Sequence, residues 1–311
     1  MINIPIVFTI DYKFLPPAYI AIDSLIKNAD DTTKYDIHVL YNGVIDKKVN
    51  LLKRNIKGTR HNMVIHDISK LQIIVPKTTK CWPNIVYTRL YLPQILKQYD
   101  KVIYSDVDVL FLGDLADAYN TEMNGYMWAG VAAEKNSPYV LMHQYYNENH
   151  HEYIYWSGFM VMNLDEMRKN NWIEICNKNL LKYSNRLYMF DLEIMNLSAE
   201  KIKRLPFRYV CLQAIYDSCD IKCTQEYMWL SKVYSYKELE YEKKKAIIVH
   251  YAGKVGRIGK VWLKINPPQY YAFYMKQLPL ELKLQNNVQR INKNMRELAK
   301  ILLDIFNIKH N

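Results

Sequence analysis

Two aspartates one residue apart, Asp106 and Asp108, are the side chains in this sequence best suited to chemistry. They follow the apolar run 102–105, which predicts a buried strand, and a second apolar run begins at Val109. Open α/β sheets bind ligands beyond the carboxyl ends of their strands, which is where this pair falls. Carboxylate oxygens suit Mg²⁺ or Mn²⁺, and such an ion can hold a diphosphate and stabilise it as it leaves. The alternative is a strand that ends in solvated acids.

A third ligand for such an ion is expected at His250, which ends the apolar run 246–249. Two carboxylates leave coordination positions open, and a neutral imidazole can fill one of them. Small and basic residues follow, and they suit a loop that closes over phosphates: Gly253, Lys254, Arg257 and Lys260. The alternative is a core histidine beside a basic surface loop.

Other polar or aromatic side chains fall near predicted strand ends. Arg89 lies on a predicted helix upstream of the aspartates and could bind phosphate or sugar, with a surface salt bridge as the alternative. Asp11 could accept hydrogen bonds from a base or ribose and Phe14 could stack on a base, unless both are ordinary turn residues. Asp191 and Glu193 could bind sugar hydroxyls from one side of an extended segment, whereas a helix would separate them, and the alternative is a pair of solvated acids.

The elements that must position these residues alternate along the chain. Strands are predicted at 4–10, 35–41, 62–66, 102–105, 157–163 and 246–250. Helices are predicted at 16–28, 46–55, 86–99, 172–184 and 190–198. Strands that alternate with helices favour an α/β fold with a single, mostly parallel, Rossmann-like sheet flanked by helices.

The composition of the chain limits the classes of binding partner and the cellular compartment. The chain has 311 residues, half of them apolar, and a formal net charge of +11. No nucleic-acid motif is evident, so nucleotide-sugar phosphates or an anionic membrane surface suit this charge better than nucleic acid. The five cysteines show no scaffold spacing, residues 1–5 do not resemble a signal peptide, and no apolar run approaches the ~20 residues of a membrane span. A cytoplasmic protein, free or peripheral on the inner membrane face, is expected.

The Asn-Pro-Pro sequence at 266–268 predicts a boundary between a catalytic domain, 1–268, and a basic helical tail, 269–311. Apolar residues in the tail alternate steps of four and three, which is a heptad repeat: Leu284, Val288, Ile291, Met295, Leu298, Leu302 and Ile305. Three interpretations stay open: packing on its own domain, a homodimeric coiled coil, or a helix on anionic lipid. Ile301, Phe306 and Ile308 widen the apolar face, which mildly favours domain or membrane packing.

Taken together, the segments resemble glycosyltransferase family 8, and most of all its bacterial lipooligosaccharide and lipopolysaccharide galactosyl- and glucosyltransferases. The resemblance spans roughly residues 4 to 262. Five segments match the family's motifs in order, at 6–11, 87–90, 103–110, 157–164 and 250–253.

The resemblance implies a GT-A fold, a UDP-sugar donor, Mn²⁺ or Mg²⁺, and retention of configuration at the anomeric carbon. It implies metal ligands at Asp106, Asp108 and His250. It implies donor or nucleotide contacts at Thr9, Asp11, Phe14, Arg89, Val107, Gly253 and Lys254. Arg89, Asp191 and Lys260 would act at the reacting sugar and diphosphate.

Three departures from the family pattern stand in this chain. Trp156 precedes Ser157-Gly158 where the family usually has Asn, and Leu192 replaces a usual Gln. The Lys-x-Trp sequence that follows the late glycine comes later than usual, at 260–262. These changes predict a less polar sugar pocket, a longer closing loop, and either a donor other than the commonest one or altered contacts to that donor.

The leading hypothesis is a metal-dependent retaining glycosyltransferase. It would move a hexose or N-acetylhexosamine from a UDP-sugar to a hydroxyl of a bacterial surface glycan, such as lipopolysaccharide, lipooligosaccharide or capsule. One alternative is a non-catalytic relative that binds UDP-sugar, which Trp156 and Leu192 favour. The other is a nucleotidyltransferase, which would need a Gly-rich phosphate loop that is not evident near the N-terminus.

Overall fold

The computed structural model describes residues 1–74, 84–138, 145–188, 191–252 and 260–308. The strands in these ranges are β1 (Ile2–Ile10), β2 (Thr33–Tyr41), β3 (Asn62–Asp67), β4 (Lys101–Ser105), β5 (Val109–Phe111), β6 (Trp128–Lys135), β7 (Tyr153–Asn163), β8 (Ile202–Leu205), β9 (Cys211–Leu212) and β10 (Ile248–His250). The α-helices are α1 (Leu15–Lys27), α2 (Leu92–Ile95), α3 (Ala116–Tyr119), α4 (Leu164–Lys169), α5 (Trp172–Tyr183), α6 (Asp191–Ser198), α7 (Gln213–Asp217), α8 (Tyr227–Leu230), α9 (Tyr236–Lys244), α10 (Gln269–Met275) and α11 (Leu280–Ile308). Short 3₁₀ helices lie at Tyr12–Phe14, Val49–Ile56, Asn84–Tyr91, Phe207–Val210, Ile221–Cys223 and Val261–Leu263.

Seven strands form the main sheet in the order β3-β2-β1-β4-β7-β6-β8. Strands β3, β2, β1 and β4 are parallel to one another, and β6 is parallel to β8. Strand β7 is antiparallel to both of its neighbours, β4 and β6, so it alone reverses the common direction. The predicted α/β fold with a mostly parallel sheet is therefore confirmed.

A second, smaller sheet has the order β5-β10-β9 and lies beyond the end of β4. Strand β10 is antiparallel to β5 and parallel to β9. The predicted strand that ends at His250 is thus present but belongs to this small sheet rather than to the main one. The change of sheet between β4 and β5 creates the site described below.

Burial on both faces of the sheet explains the long apolar runs of its central strands. Strand β1 pairs with β2 along nine consecutive residues, and most of its side chains are buried. Such strands read as continuous apolar runs because helices cover both faces of a parallel sheet. Helix α1 buries one such face, and its first turn contains Pro16 and Pro17, which are tolerated there because the first amides of a helix have no partner within it.

The predicted helix at 86–99 is wrong in its type and length. Residues Asn84–Tyr91 form a 3₁₀ helix, which is followed by the single α-turn of α2. Pro93 stands in the first turn of α2 and has no amide hydrogen, so one continuous helix through this residue would lose a hydrogen bond. The predicted helix at 46–55 is likewise 3₁₀, at Val49–Ile56. Strands β6 and β8 were not predicted, because β6 is rich in small residues and β8 has four residues.

Between residues 269 and 308 the chain is mostly helical, and α11 is its main element. One face of α11 contacts the sheet domain: Leu282 and Asn286 are buried, and the Asn286 amide donates to the carbonyl oxygen of Trp262 at 2.7 Å. The heptad residues from 284 to 298 are exposed and face away from the domain, so packing on the domain does not explain them. The division into domains at residue 268 stays a prediction. Among the described helices, none has the length and apolarity to cross a bilayer.

Candidate active site

The acidic pair lies on the segment that passes from one sheet to the other. Strand β4 ends at Ser105 and β5 begins at Val109. The amide of Asp106 donates to the carbonyl oxygen of Gly158 at 2.8 Å, and the carbonyl oxygen of Asp108 accepts from the amide of Tyr251 at 2.9 Å. The side chain of Val107 is buried in the core, whereas those of Asp106 and Asp108 are 29% and 31% exposed. The backbone therefore holds two carboxylates at an accessible edge.

The register of the small sheet places His250 at the same edge. It pairs with Val109, the residue after Asp108. Its Nε2 lies 3.3 Å from Oδ1 of Asp108. One ligand atom from each of Asp106, Asp108 and His250 lies within 4.8 Å of the others. The three predicted metal ligands, which are far apart in sequence, thus come together.

Gly158 on β7 leaves room for this cluster. A Cβ atom at this residue would lie 2.7 Å from Cε1 of His250 and 3.0 Å from Oδ2 of Asp106. Carbon atoms in ordinary contact are about 3.5–4.0 Å apart, so a side chain here would displace two of the predicted metal ligands. The glycine of the motif at 157–164 is therefore needed for close approach.

Arg89 joins the predicted metal ligands to Asp191. Its Nη2 lies 2.9 Å from Oδ1 of Asp106, and its Nη1 lies 3.0 Å from Oδ2 of Asp191. The guanidinium also donates to the carbonyl oxygens of Ser157 at 2.7 Å and Val86 at 3.2 Å. Every nitrogen of this buried side chain therefore contacts protein, and the guanidinium holds two carboxylates in fixed places.

The charges of the cluster depend on one another. Burial and the charge of Asp108 raise the pKa of Asp106 to about 6, although Arg89 opposes the shift. Burial also acts to raise the pKa of Asp108, but the hydrogen bond and the charge of His250 outweigh it, and the pKa is lowered. Burial opposes protonation of His250, yet Asp108 and Asp106 raise its pKa. Two hard oxygen ligands and one imidazole in this arrangement fit a divalent cation such as Mn²⁺ or Mg²⁺.

The residues predicted to bind the nucleotide surround the end of β1. Asp11 caps the 3₁₀ turn Tyr12–Phe14 by accepting from the amide of Lys13 at 2.8 Å. The Phe14 ring lies 5.6 Å from that of Trp262, and Nζ of Lys260 lies 4.1 Å from the Phe14 ring centre.

Lys260 connects this region electrostatically to the predicted metal ligands. Burial lowers its pKa, while the carboxylates of Asp11 and Asp108 both oppose that shift. Thr9 lies near the end of β1, two residues before Asp11. Gly253 and Lys254 lie outside the described residues.

Sequence reasoning gave no role to two residues that support the site. The Tyr104 hydroxyl donates to Oδ1 of Asp106 at 3.2 Å, and the Tyr104 ring lies 4.4 Å from the Arg89 guanidinium. The Ser157 hydroxyl donates to Oδ2 of Asp191 at 2.8 Å. Strand alternation was an available signal for Tyr104, because it stands two residues before Asp106. The contact of Ser157 depends on how α6 packs against β7.

The second acidic pair is divided by its helix. Asp191 begins α6 and faces Arg89 and Ser157; burial raises its pKa against the effect of the guanidinium. Glu193 is fully buried elsewhere and accepts from the amide of Tyr188 at 2.9 Å. Of the pair, Asp191 alone belongs to the site.

The two departures at 156 and 192 take part in apolar packing. Leu192 belongs to a small cluster with Tyr145, Ile154 and Tyr183. Trp156 is half-buried and packs against the same cluster. The helical start of α6 turns Leu192 away from its neighbour Asp191, so its apolar character serves packing.

Comparisons with known proteins agree with this geometry. The model of glycosyl transferase family 8 matches residues 5–266. The lipopolysaccharide 1,2-glucosyltransferase of Escherichia coli (strain K12) is 24% identical over 288 residues, which are 88% of this chain and 78% of that protein. A putative glycosyltransferase of Haemophilus influenzae is 24% identical over 220 residues, which are 66% of this chain and 62% of that protein. The chain covers less than two thirds of the length of several curated relatives that it matches.

A solved structure shows the same fold. The galactosyltransferase LgtC, in complex with donor and acceptor sugar analogs, aligns with a TM-score of 0.69 and 16% identity, covering 91% of this chain and 100% of that one. This likeness confirms the GT-A fold. Because the family match extends over most of the chain, the protein belongs to glycosyl transferase family 8.

Proposed function

We propose that this chain transfers a hexose or N-acetylhexosamine from a UDP-sugar to a hydroxyl of a bacterial surface glycan, with retention at the anomeric carbon. The observation that carries the proposal is the convergence of Asp106, Asp108 and His250 at the end of β4. The likeness to a lipopolysaccharide glucosyltransferase supports an acceptor of the lipopolysaccharide, lipooligosaccharide or capsule class.

A divalent cation would be held by Asp106, Asp108 and His250. When bound, Mn²⁺ or Mg²⁺ neutralises charge on a diphosphate and so makes it a better leaving group. The partial exposure of both carboxylates supports this role, because each offers oxygen atoms toward solvent while the backbone amides around them are paired. The nearby Lys260 ammonium would add positive charge on the side of Asp11 and Phe14, where uridine is proposed to bind.

The sugar would lie near Asp191 and Arg89. The buried carboxylate of Asp191 is held by Arg89 and Ser157, which fixes its direction before any hydroxyl reaches it. Such preorganisation lowers the cost of orienting a substrate. Direct contact between Arg89 and the donor stays a prediction, because in this structure its nitrogens contact protein atoms.

Transfer would exchange one C–O bond for another. The acceptor oxygen bonds to the anomeric carbon on the side that the diphosphate leaves, and the bond from that carbon to the phosphate oxygen breaks. The acceptor proton passes to the departing phosphate oxygen, giving a glycoside and UDP. This balance requires no strong protein base, which suits a site where Arg89 already pairs with Asp106 and Asp191.

A screen for UDP released from a panel of UDP-sugars, with Mn²⁺ and no acceptor, tests the proposal. We expect release from one sugar, loss of release on chelation, and loss in the isosteric variant Asp108→Asn. Asp31→Asn removes a fully exposed carboxylate and is the matched control, which should keep wild-type rates. Equal release by the wild type and Asp108→Asn would contradict the metal role.

The same assay separates the two alternative functions. A non-catalytic relative would bind UDP and Mn²⁺ in calorimetry but release no UDP, even with a broad panel of acceptors. A nucleotidyltransferase would consume a nucleoside triphosphate and release pyrophosphate. Family membership favours sugar transfer over nucleotidyl transfer.

A further inference from the structure

Helix α11 has two faces with different surroundings. Its inner face is anchored near its start, where the Gln285 amide donates to the carbonyl oxygen of Tyr12 at 2.6 Å and the Gln289 amide donates to that of Lys13 at 3.2 Å. Leu282 on this face is fully buried. These contacts fix the direction in which the helix leaves the domain.

The opposite face is apolar and exposed. We name as the tail stripe the following residues, each between 55% and 64% exposed: Leu284, Val288, Ile291, Met295 and Leu298. The spacing of four and three continues in the sequence at Leu302 and Ile305, and the helical backbone extends to residue 308. A row of large apolar side chains of this length usually marks an interaction surface.

The distal half of α11 has no support from the domain among the described side chains. Every side chain from 294 to 299 is exposed. A helical segment solvated on all sides is marginally stable, because most helix stability in proteins comes from packing of an amphipathic face. A partner on the tail stripe would supply that packing.

The charges around the tail stripe bear on which partner binds it. The residues that flank the tail stripe between 287 and 299 are uncharged: Asn287, Asn292, Asn294 and Ala299. At about 100° per residue, the cations Arg290, Lys293 and Arg296 lie roughly 120° or more from the centre of the stripe. Two identical helices that pack stripe to stripe bring their flanking residues together, so these uncharged flanks place no like charges side by side and suit self-association, as does the heptad spacing.

We propose that the tail stripe packs against the tail stripe of a second copy of this chain, forming a homomeric coiled coil. An isologous contact of this kind uses the same residues on both copies and closes on itself. The anchored inner face leaves both domains on the outside of the coil. This proposal concerns assembly and holds whether or not the proposed sugar transfer is correct.

Light scattering coupled to size exclusion tests the proposal on the full chain at tens of micromolar. We expect twice the chain mass of 37.1 kDa for the wild type. The double variant Ile291→Glu with Leu298→Glu places charge in the stripe and should run at 37.1 kDa with an unchanged thermal midpoint. The control Lys293→Gln with Arg296→Gln changes the net charge by the same two units, but away from the tail stripe, and should keep the doubled mass.

Two results would overturn the proposal. One is a wild type that has the mass of a single chain across this concentration range. In that case, flotation with phosphatidylglycerol vesicles would identify lipid as the partner of the stripe if it were weakened in the Lys293→Gln, Arg296→Gln control. The other is a doubled mass that survives in the Ile291→Glu, Leu298→Glu variant, which would place the contact on another surface.

Discussion

Substitution of Gly158 by Ala should damage the proposed metal site through contact alone. The new Cβ would lie 2.7 Å from Cε1 of His250 and 3.0 Å from Oδ2 of Asp106. Ordinary contact begins at 3.4 Å, so the imidazole must move by about 0.7 Å or the strand must shift. The φ angle of Gly158 lies outside the left-handed region, so the backbone itself tolerates Ala.

The size of the effect follows from that displacement. Disturbing groups that orient metal ligands typically costs about 10–100-fold in metal affinity. A misplacement of about 1 Å can cost about 10²-fold in rate. We therefore expect Gly158→Ala to bind Mn²⁺ about 10–100-fold more weakly in an electron paramagnetic resonance titration, and to release UDP at a correspondingly lower rate.

Gly113→Ala is the matched control. Its Cβ would lie 2.7 Å from Cδ1 of Ile247, which is the same overlap, but against the flexible end of an aliphatic side chain. We expect Mn²⁺ affinity within about twofold of the wild type, with any loss seen in the thermal midpoint. If Gly158→Ala bound Mn²⁺ as tightly as the wild type, with a similar midpoint, the close approach at Gly158 would not govern the site and the reasoning would be refuted.

Three further outcomes follow from the contacts of single side chains. Arg89→Gln should lower the free energy of unfolding in urea by about 3 kcal/mol, because it leaves the carboxylate of Asp191 buried without its cation; a loss below about 1 kcal/mol would contradict this. Leu192→Gln, which introduces the usual family residue, should cost about 1–3 kcal/mol without raising the transfer rate, since Leu192 packs in an apolar cluster; faster transfer would show that it faces the sugar. Burial lowers the pKa of His151 to about 4 from its usual 6.5. The neutral imidazole therefore makes its full contribution to the stability of the folded state above pH 6.5. That contribution, about 3 kcal/mol, is lost as the pH falls from 6.5 toward 4. His151→Gln should therefore reduce the dependence of the thermal midpoint on pH between pH 6.5 and pH 4. An unchanged pH dependence would show that other groups cause it.

Local patterns in the sequence predicted many of the strands and helices, because the formation of these elements depends largely on residues that are close together in the chain. The apolar run at 4–10 predicted β1, which is buried on both faces and so needs almost every side chain to be apolar. The segment at 35–41 predicted β2, whose apolar side chains there are all buried. The helix predicted at 172–184 is α5, within one residue of its end. The prediction at 86–99 was wrong because Pro93 starts a new turn there, and apolar periodicity does not separate 3₁₀ from α geometry.

The sequence by itself determined the acidic pair, its place after a strand, and the family to which the chain belongs. These depend on short runs of residues whose order is visible along the chain. Only the tertiary structure decided that His250 pairs with Val109 beside Asp108, that Arg89 bridges Asp106 and Asp191, and that Leu192 turns away. Strand order, strand register and the starting residue of a helix decide which distant side chains meet. Those are set by packing of the whole chain, so no local pattern could supply them.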